Sequence, residues 1–210
     1  MMNPTRRCIL KTGSKGLLAA TVVGLGANAT FAKGSPQRAN KAKMEKWMST
    51  WMDSLSAVGP RLELSRFKDP TYFLLRPISW YPNASQAGNF DAVTVPTGFV
   101  TDFASIPQIF WSILRPDGDY AYAAAIHDWL YWDQARPRHV ADQIFALAMQ
   151  DFRIDAPTLR TLYNAVWVFG GTAWDENKKL KQSGEKRILT RFPEDPTITW
   201  SEWKKNPGNF

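Results

Sequence analysis

The stretch Ala92-Val93-Thr94-Val95-Pro96-Thr97-Gly98-Phe99-Val100-Thr101-Asp102-Phe103-Ala104-Ser105-Ile106-Pro107-Gln108 decides the reading of this chain, because its hydrophobic period changes partway along. Before Asp102, residues 92–95 and 99–100 are strand-type pieces rich in β-branched side chains, separated by the turn sequence Pro96-Thr97-Gly98. After Asp102 the pattern is helical. Ser105 and Gln108 stand three apart with Pro107 in the first turn, the form of a capping box, and open a helix over 105–114. Arg115-Pro116-Asp117-Gly118 breaks that helix.

The same two periods hold on either side. Upstream, residues 61–67 alternate polar and apolar, as a half-buried strand does, and the apolar runs at 72–75 and 78–81 are bounded by prolines. Downstream, Asp119 caps a helix over 120–132 and Pro137 starts another that reaches 151 or 152. Asp155 caps a fourth, which carries Leu159, Leu162, Tyr163, Val166 and Trp167 and is ended by Gly170-Gly171. The expected class is α+β: a small antiparallel sheet followed by a cluster of about four helices, with the core domain over 59–171.

The ends read differently from the middle. Thr5-Arg6-Arg7-Cys8-Ile9-Leu10-Lys11 is similar to the twin-arginine export consensus. A Gly/Ala-rich apolar stretch follows, too short and mild to span a bilayer, and then small residues ahead of Lys33. Residues 1–32 are therefore expected to be a removable signal that sends the domain to the periplasm or outside the cell; a Sec-type signal or a weak anchor is the alternative. Without Arg6, Arg7, Lys11 and Lys15 the formal charge falls from +7 to +3. Much of the basicity is then addressing, not a nucleic-acid footprint. Cleavage also removes Cys8, the single cysteine, and with it all disulfide and thiol chemistry. Residues 33–42 form a polar linker. In 43–58, Met44, Trp47, Met48, Trp51 and Leu55 lie on one helical stripe, which packs on the main domain or rests in a lipid interface. Residues 172–210 make a charged, Trp-rich extension expected to wrap the surface, with a helical turn near 200–204.

Chemistry concentrates on the chain's two histidines. His127 sits mid-helix, and the residues three and four positions away are Ala123, Ala124, Leu130 and Tyr131, an apolar face with room for a second element. Asp142 likewise shares its face with apolar Phe145 and Met149, where an unpaired carboxylate is costly. If the two helices fold back across the 133–136 turn, His127 and Asp142 meet. A carboxylate holding one imidazole nitrogen leaves the other as a general base. Asp128, turned about 100° around the helix, would hold a hard divalent cation with backbone carbonyls and water; calcium is favoured over zinc. Asp102 is a further metal-ligand candidate, or else a turn or cap. Ser105 is explained by capping, with no Gly-x-Ser-x-Gly elbow around it. His139, beside two arginines at a helix start, is expected to be solvated.

Three motifs carry a family resemblance: residues 95–107, His127-Asp128-Trp129-Leu130-Tyr131, and Ala141-Asp142-Gln143-Ile144-Phe145. Together they resemble the bacterial and phage family known as domain of unknown function 1353, over roughly 60–171. The resemblance implies a compact strand-then-helix domain and supplies no activity. His-Asp-x-x-Tyr followed by Asp-x-x-Phe is also similar to the catalytic helices of secreted phospholipases A2. That likeness implies His127 as base, Asp128 as calcium carboxylate, Asp142 as support for His127 and Tyr131 as a second partner of Asp142. The flanking cysteines and the Gly-rich calcium loop of that family are absent; Pro116-Asp117-Gly118-Asp119 is the one weak substitute.

The expected function is an exported hydrolase, metal-assisted, acting on lipid or another envelope component, with peripheral membrane contact. Its rival is a non-catalytic envelope or phage-related binding module in which the His–Asp cluster is structural. A third reading is a peptidoglycan-directed metal hydrolase using Asp102, His127 and Asp142.

Overall fold

The computed structural model describes residues 43, 46–48, 61–103 and 120–210. The export signal, the linker, most of the 43–58 stripe and the 105–114 helix with Ser105 lie outside these residues.

Five strands come first: β1 (Leu64–Arg66), β2 (Tyr72–Leu74), β3 (Ile78–Trp80), β4 (Val93–Val95) and β5 (Val100–Thr101). They are antiparallel, as the alternation predicts, but they make two sheets instead of one. One has the order β1-β2-β5 and the other pairs β3 with β4. The prolines explain the split. Pro77 falls where the chain leaves the first sheet for the second, and Pro96 where it returns. Neither has a backbone N–H to continue a ladder, so each ends one pairing before the other begins.

The helices follow: α1 (Ala121–Asp133), α2 (Arg138–Asp151), α3 (Ala156–Gln182) and the single turn α4 (Trp200–Trp203), then a 3-10 turn at Pro207–Asn209. Tyr120, not Asp119, occupies the N-cap position of α1, without a side-chain cap bond. Gln134 adopts a left-handed conformation (φ 55°) and returns its N–H to Leu130, which reverses the chain before Pro137 opens α2. Asp155 caps α3 by accepting from the Thr158 N–H, 3.0 Å away. That bond holds its carboxyl below the ordinary carboxylate range. α3 does not stop at Gly170-Gly171. It runs 27 residues, through the expected boundary near 171.

The two halves are tied by polar contacts at their seam. Tyr122 of α1 donates to the Ser79 carbonyl at 2.8 Å and accepts from the Ser79 N–H at 3.1 Å. Trp80 Nε1 donates to Asp151 of α2 at 2.9 Å. The main core joins β3, β4 and the inward faces of α1, α2 and α3, and includes Met48. Trp47 stacks on Tyr163, ring centroids 5.4 Å apart. These two stripe residues thus pack on the domain, as the first of the two expectations had it.

The residues after α3 complete the first sheet. Ile188 bridges Phe99, Val100 N–H donates to the Arg187 carbonyl at 2.8 Å, and Leu189 N–H to the Gly98 carbonyl at 2.9 Å. Alternation along β2 shows why this cover is needed. Leu74 enters the main core, with Tyr72 packed against it, whereas Phe73 faces the other way. There it joins Phe67, Val100, Leu189 and Trp200 in a second cluster.

Gly98 is the tight point of that junction. Its φ is +79°, and a Cβ there would lie 2.2 Å from the Leu189 carbonyl oxygen. Gly98→Ala is therefore expected to destabilise the domain by about 2–4 kcal/mol, through strain and displacement of the 187–189 segment. Urea unfolding checks this, and a loss under about 0.5 kcal/mol contradicts it.

Candidate functional site: one buried carboxylate and a neighbouring cavity

The short α1–α2 connection brings His127 and Asp142 together as the helical spacing requires. His127 Nε2 lies 3.0 Å from Asp142 Oδ1, and both side chains are 0% exposed. Tyr131, one turn after His127, donates its hydroxyl to the same oxygen at 2.6 Å. The other oxygen accepts from Arg138 Nη1 at 3.0 Å. Arg138 Nη1 also lies 3.0 Å from the Val166 carbonyl and 3.3 Å from that of Trp167, both on α3. One carboxylate thus gathers donors from α1 and α2, and through Arg138 it holds α3.

A carboxylate accepts and does not donate, so Nε2 of His127 carries the shared hydrogen, and the lone pair of a neutral ring falls on Nδ1. The ring is held by more than that bond. It lies 4.2 Å from the Tyr131 ring and is stacked 4.6 Å from Phe145. Burial, then the adjacent Asp142 charge, push the Tyr131 phenol far above its ordinary value, so it remains a donor. Burial and Asp142 likewise raise Tyr163.

Asp128 faces elsewhere. Consecutive helical positions diverge by about 100°, so His127 turns toward α2 and Asp128 toward β5. There Asp128 accepts a hydrogen bond from the Thr101 hydroxyl, which in turn accepts from the Phe103 N–H at 3.1 Å. Phe103 is left-handed (φ 56°), a costly conformation for a bulky side chain, directly after Asp102. Asp102 and Asp128 line a cavity of about 90 Å³ with Glu176, Asn177 and Arg187.

The candidates therefore fall into two groups. His127, Tyr131 and Asp142 form a sealed cluster. Among the described residues, the cavity that Asp102 and Asp128 line does not include His127 or Asp142. His139 is exposed, as expected. Among the described residues, no group of three or more His, Cys, Asp or Glu side chains is placed to hold a metal ion.

Sequence reading missed Arg138, although an arginine four residues before Asp142 is the spacing of a helical ion pair. It also misread Gly170. A Cβ there would sit 2.2 Å from the Tyr131 hydroxyl and 3.3 Å from Arg138 Nη1. The glycine lets α3 cross the cluster closely and does not end the helix.

The fold and the cluster define an α+β domain whose helical half is organised around one buried carboxylate. Residues 81–166 match the family model described as "Protein of unknown function (DUF1353)", so this segment carries the family resemblance read from the three motifs. An uncharacterized protein of Sinorhizobium fredii (strain NBRC 101917 / NGR234), y4jT, is 36% identical over 78 residues. That alignment covers 36% of this chain and 23% of y4jT, so the chain spans under a quarter of that relative. No solved structure matches. Glu176, Asn177 and Arg187 lie beyond the family match.

Two outcomes test the cluster. Gly170→Ala is expected to cost about 2–4 kcal/mol, because the tyrosine it displaces is buried and bonded to a charge; an unchanged urea midpoint would contradict the packing. The second concerns pH. Tyr131 binds its proton more tightly folded than unfolded, so the folded state gains stability below the unfolded value near 10 and loses it as pH rises beyond. Stability between pH 9 and 11 should fall more steeply for the natural chain than for Tyr131→Phe. Equal slopes would show that the phenol is not perturbed.

Proposed function

We propose that this chain is an exported hydrolase in which His127 is the general base, acting on lipid or another component of the cell envelope. The observation that carries the reading is the orientation of His127 by Asp142. The imidazole is fixed through Nε2, its tautomer is set, and the nitrogen suited to withdrawing a proton from water is Nδ1. Asp142 and Tyr131 are positioning residues here: they aim the base and do not meet substrate. The phospholipase A2 likeness enters this reading through His127 and Tyr131, both of which bond Asp142. Export rests on the Thr5-Arg6-Arg7 start. No described helix is long and apolar enough to cross a membrane.

A cation, where used, would be held by Asp102 and Asp128 and would polarise the scissile carbonyl or phosphoryl group. Oxygen donors facing the cavity suit calcium better than zinc, which prefers nitrogen and sulfur. Because the His127 side chain is 0% exposed, hydrolysis also requires the cluster to open to water when substrate binds.

That burial is the specific observation behind a second reading. A buried His–Asp–Tyr cluster, closed by the partly exposed Arg138, gives three helices one arrangement, and the domain then serves as a non-catalytic envelope or phage-related binding module.

His127→Asn, assayed beside the natural chain on phospholipid, lysolipid and peptidoglycan substrates with and without calcium, separates the two. The hydrolase reading expects cleavage by the natural chain, and a loss of at least about 100-fold in the variant with its melting temperature nearly retained. If His127→Asn does not fold, His127→Gln, whose longer amide reaches further toward Asp142, takes its place. No cleavage by the natural chain on any substrate, together with a large drop in melting temperature for both variants, favours the structural reading.

A further inference from the structure

One flank of α3 is not used up by the core. Arg160, Trp167, Gly171, Trp174 and Lys178 stand at i, i+7, i+11, i+14 and i+18, so they share a stripe of the helix. Arg160 and Lys178 are exposed, and the two tryptophans and the glycine are half-buried. Each indole packs inward on one side. Trp167 meets Tyr163 with ring centroids 5.8 Å apart, and Trp174 stands nearly perpendicular to Tyr131 at 5.2 Å. Neither indole N–H has a protein acceptor among the described residues. The two acids of α3, Asp175 and Glu176, lie off the stripe, turned about 100° and 200° from Trp174.

Gly171 is the member that packing does not explain. Glycine is unfavourable in a helix interior. Gly170 is required by the close approach of Tyr131 and Arg138, whereas a Cβ at Gly171 would meet nothing within 4 Å. The glycine leaves an open notch between the two indoles. Arg138 lies beside it, since its Nη1 bonds the Val166 and Trp167 carbonyls. Its side chain is 30% exposed, and its Nε and Nη2 have no protein partner among the described residues.

These features fit a membrane surface better than a small ligand. Tryptophan is favoured where one side of the ring is apolar and the other meets lipid headgroups. From Arg160 to Lys178 the helix rises about 27 Å, too far for both cations to hold one small anion and well spaced for separate lipid phosphates. We propose that this flank of α3 docks on a membrane of anionic phospholipid. Both indoles sit at headgroup depth, Arg160 and Lys178 meet lipid phosphates, and a further phosphate occupies the Gly171 notch beside Arg138. The inference rests on the lipid arm of the hydrolase reading for its setting, but it concerns adsorption and not turnover. Vesicle binding without cleavage leaves it standing while the hydrolase falls, and cleavage of dispersed lipid without vesicle binding does the reverse.

The test is co-sedimentation of the full chain with vesicles of phosphatidylcholine alone and of phosphatidylcholine mixed with phosphatidylglycerol, with peptidoglycan sacculi as a separate arm. The natural chain should bind the mixed vesicles at least about tenfold more tightly than pure phosphatidylcholine, and added salt should weaken that binding. Arg160→Gln and Lys178→Gln should each weaken it about fivefold, the value of one basic residue at an anionic surface. Gly171→Glu places a carboxylate between the indoles where no atom blocks it, and should cost about fivefold or more while melting close to the natural chain. Arg191→Gln makes the same charge change on the exposed segment next to Leu189, which packs behind the first sheet, and should leave binding within about twofold. Arg6, Arg7, Lys11 and Lys15 also favour anionic lipid, so a local reading accompanies these. A polarity-sensitive dye on Gly171→Cys, in the chain with Cys8→Ser, should brighten and shift to the blue on the mixed vesicles, and the same dye on Arg191→Cys should not. A dye at 171 that still reports water on vesicles that carry the chain would overturn the docking. Equal binding to both vesicles, or an equal loss in Arg191→Gln, would overturn it in favour of non-specific adsorption. Binding to sacculi with none to vesicles would overturn it and assign the flank to a glycan.

Discussion

A single carboxylate, that of Asp142, has no exposure and must be neutralised within the fold. It is neutralised by an imidazole N–H, a phenol and a guanidinium, each reaching it from a defined helical position. Because Arg138 extends the network to carbonyls of α3, the packing of three helices is tied to one charge. Removing one partner of such a group is far more damaging than its net contribution suggests, since the rest is left buried and uncompensated. This explains local features that otherwise look unrelated: the alanines at 123–125 that let neighbours approach α1, the left-handed Gln134 that turns the chain back, and the glycine at 170 that lets α3 pass over Tyr131 and Arg138.

The same helix sets up a second, contrasting charged region. His127 and Asp128 are neighbours in sequence, yet one is buried inside the network and the other borders a cavity lined also by Asp102, α3 and Arg187. The first region ties helices together, and the second faces open space. The Arg187 side chain links the cavity to the chain beyond the family match. The sheet completed by Ile188 and Leu189 is what delivers it there.

Much of this was legible in the residues, and the exceptions share a cause. Among the described residues, local pattern placed the strands before Asp102, the helices after Tyr120, Asp155 as a cap, and His127, Tyr131 and Asp142 on facing stripes. Features that depend on what crosses a residue from far along the chain were not legible. Gly170-Gly171 has the local form of a helix end, and only the tyrosine and arginine lying against Gly170 explain why the helix continues. Pro77 reads as a strand boundary and Pro96 as part of a turn, but neither says whether the chain returns to the same sheet or begins another. Although adjacent in the chain, His127 meets Asp142 and Asp128 meets Thr101. The angle between adjacent helical positions separates them.

The account depends most directly on which imidazole nitrogen of His127 holds the hydrogen. The chain has two histidines, so two-bond proton–nitrogen correlation spectra of histidine-labelled protein, with His139→Gln for assignment, read the tautomer without ambiguity. The account predicts Nε2–H in the folded chain, slow to exchange with solvent and lost from that state in Asp142→Asn. A ring protonated at Nδ1 and bare at Nε2, or one whose tautomer ignores the Asp142 substitution, would contradict it.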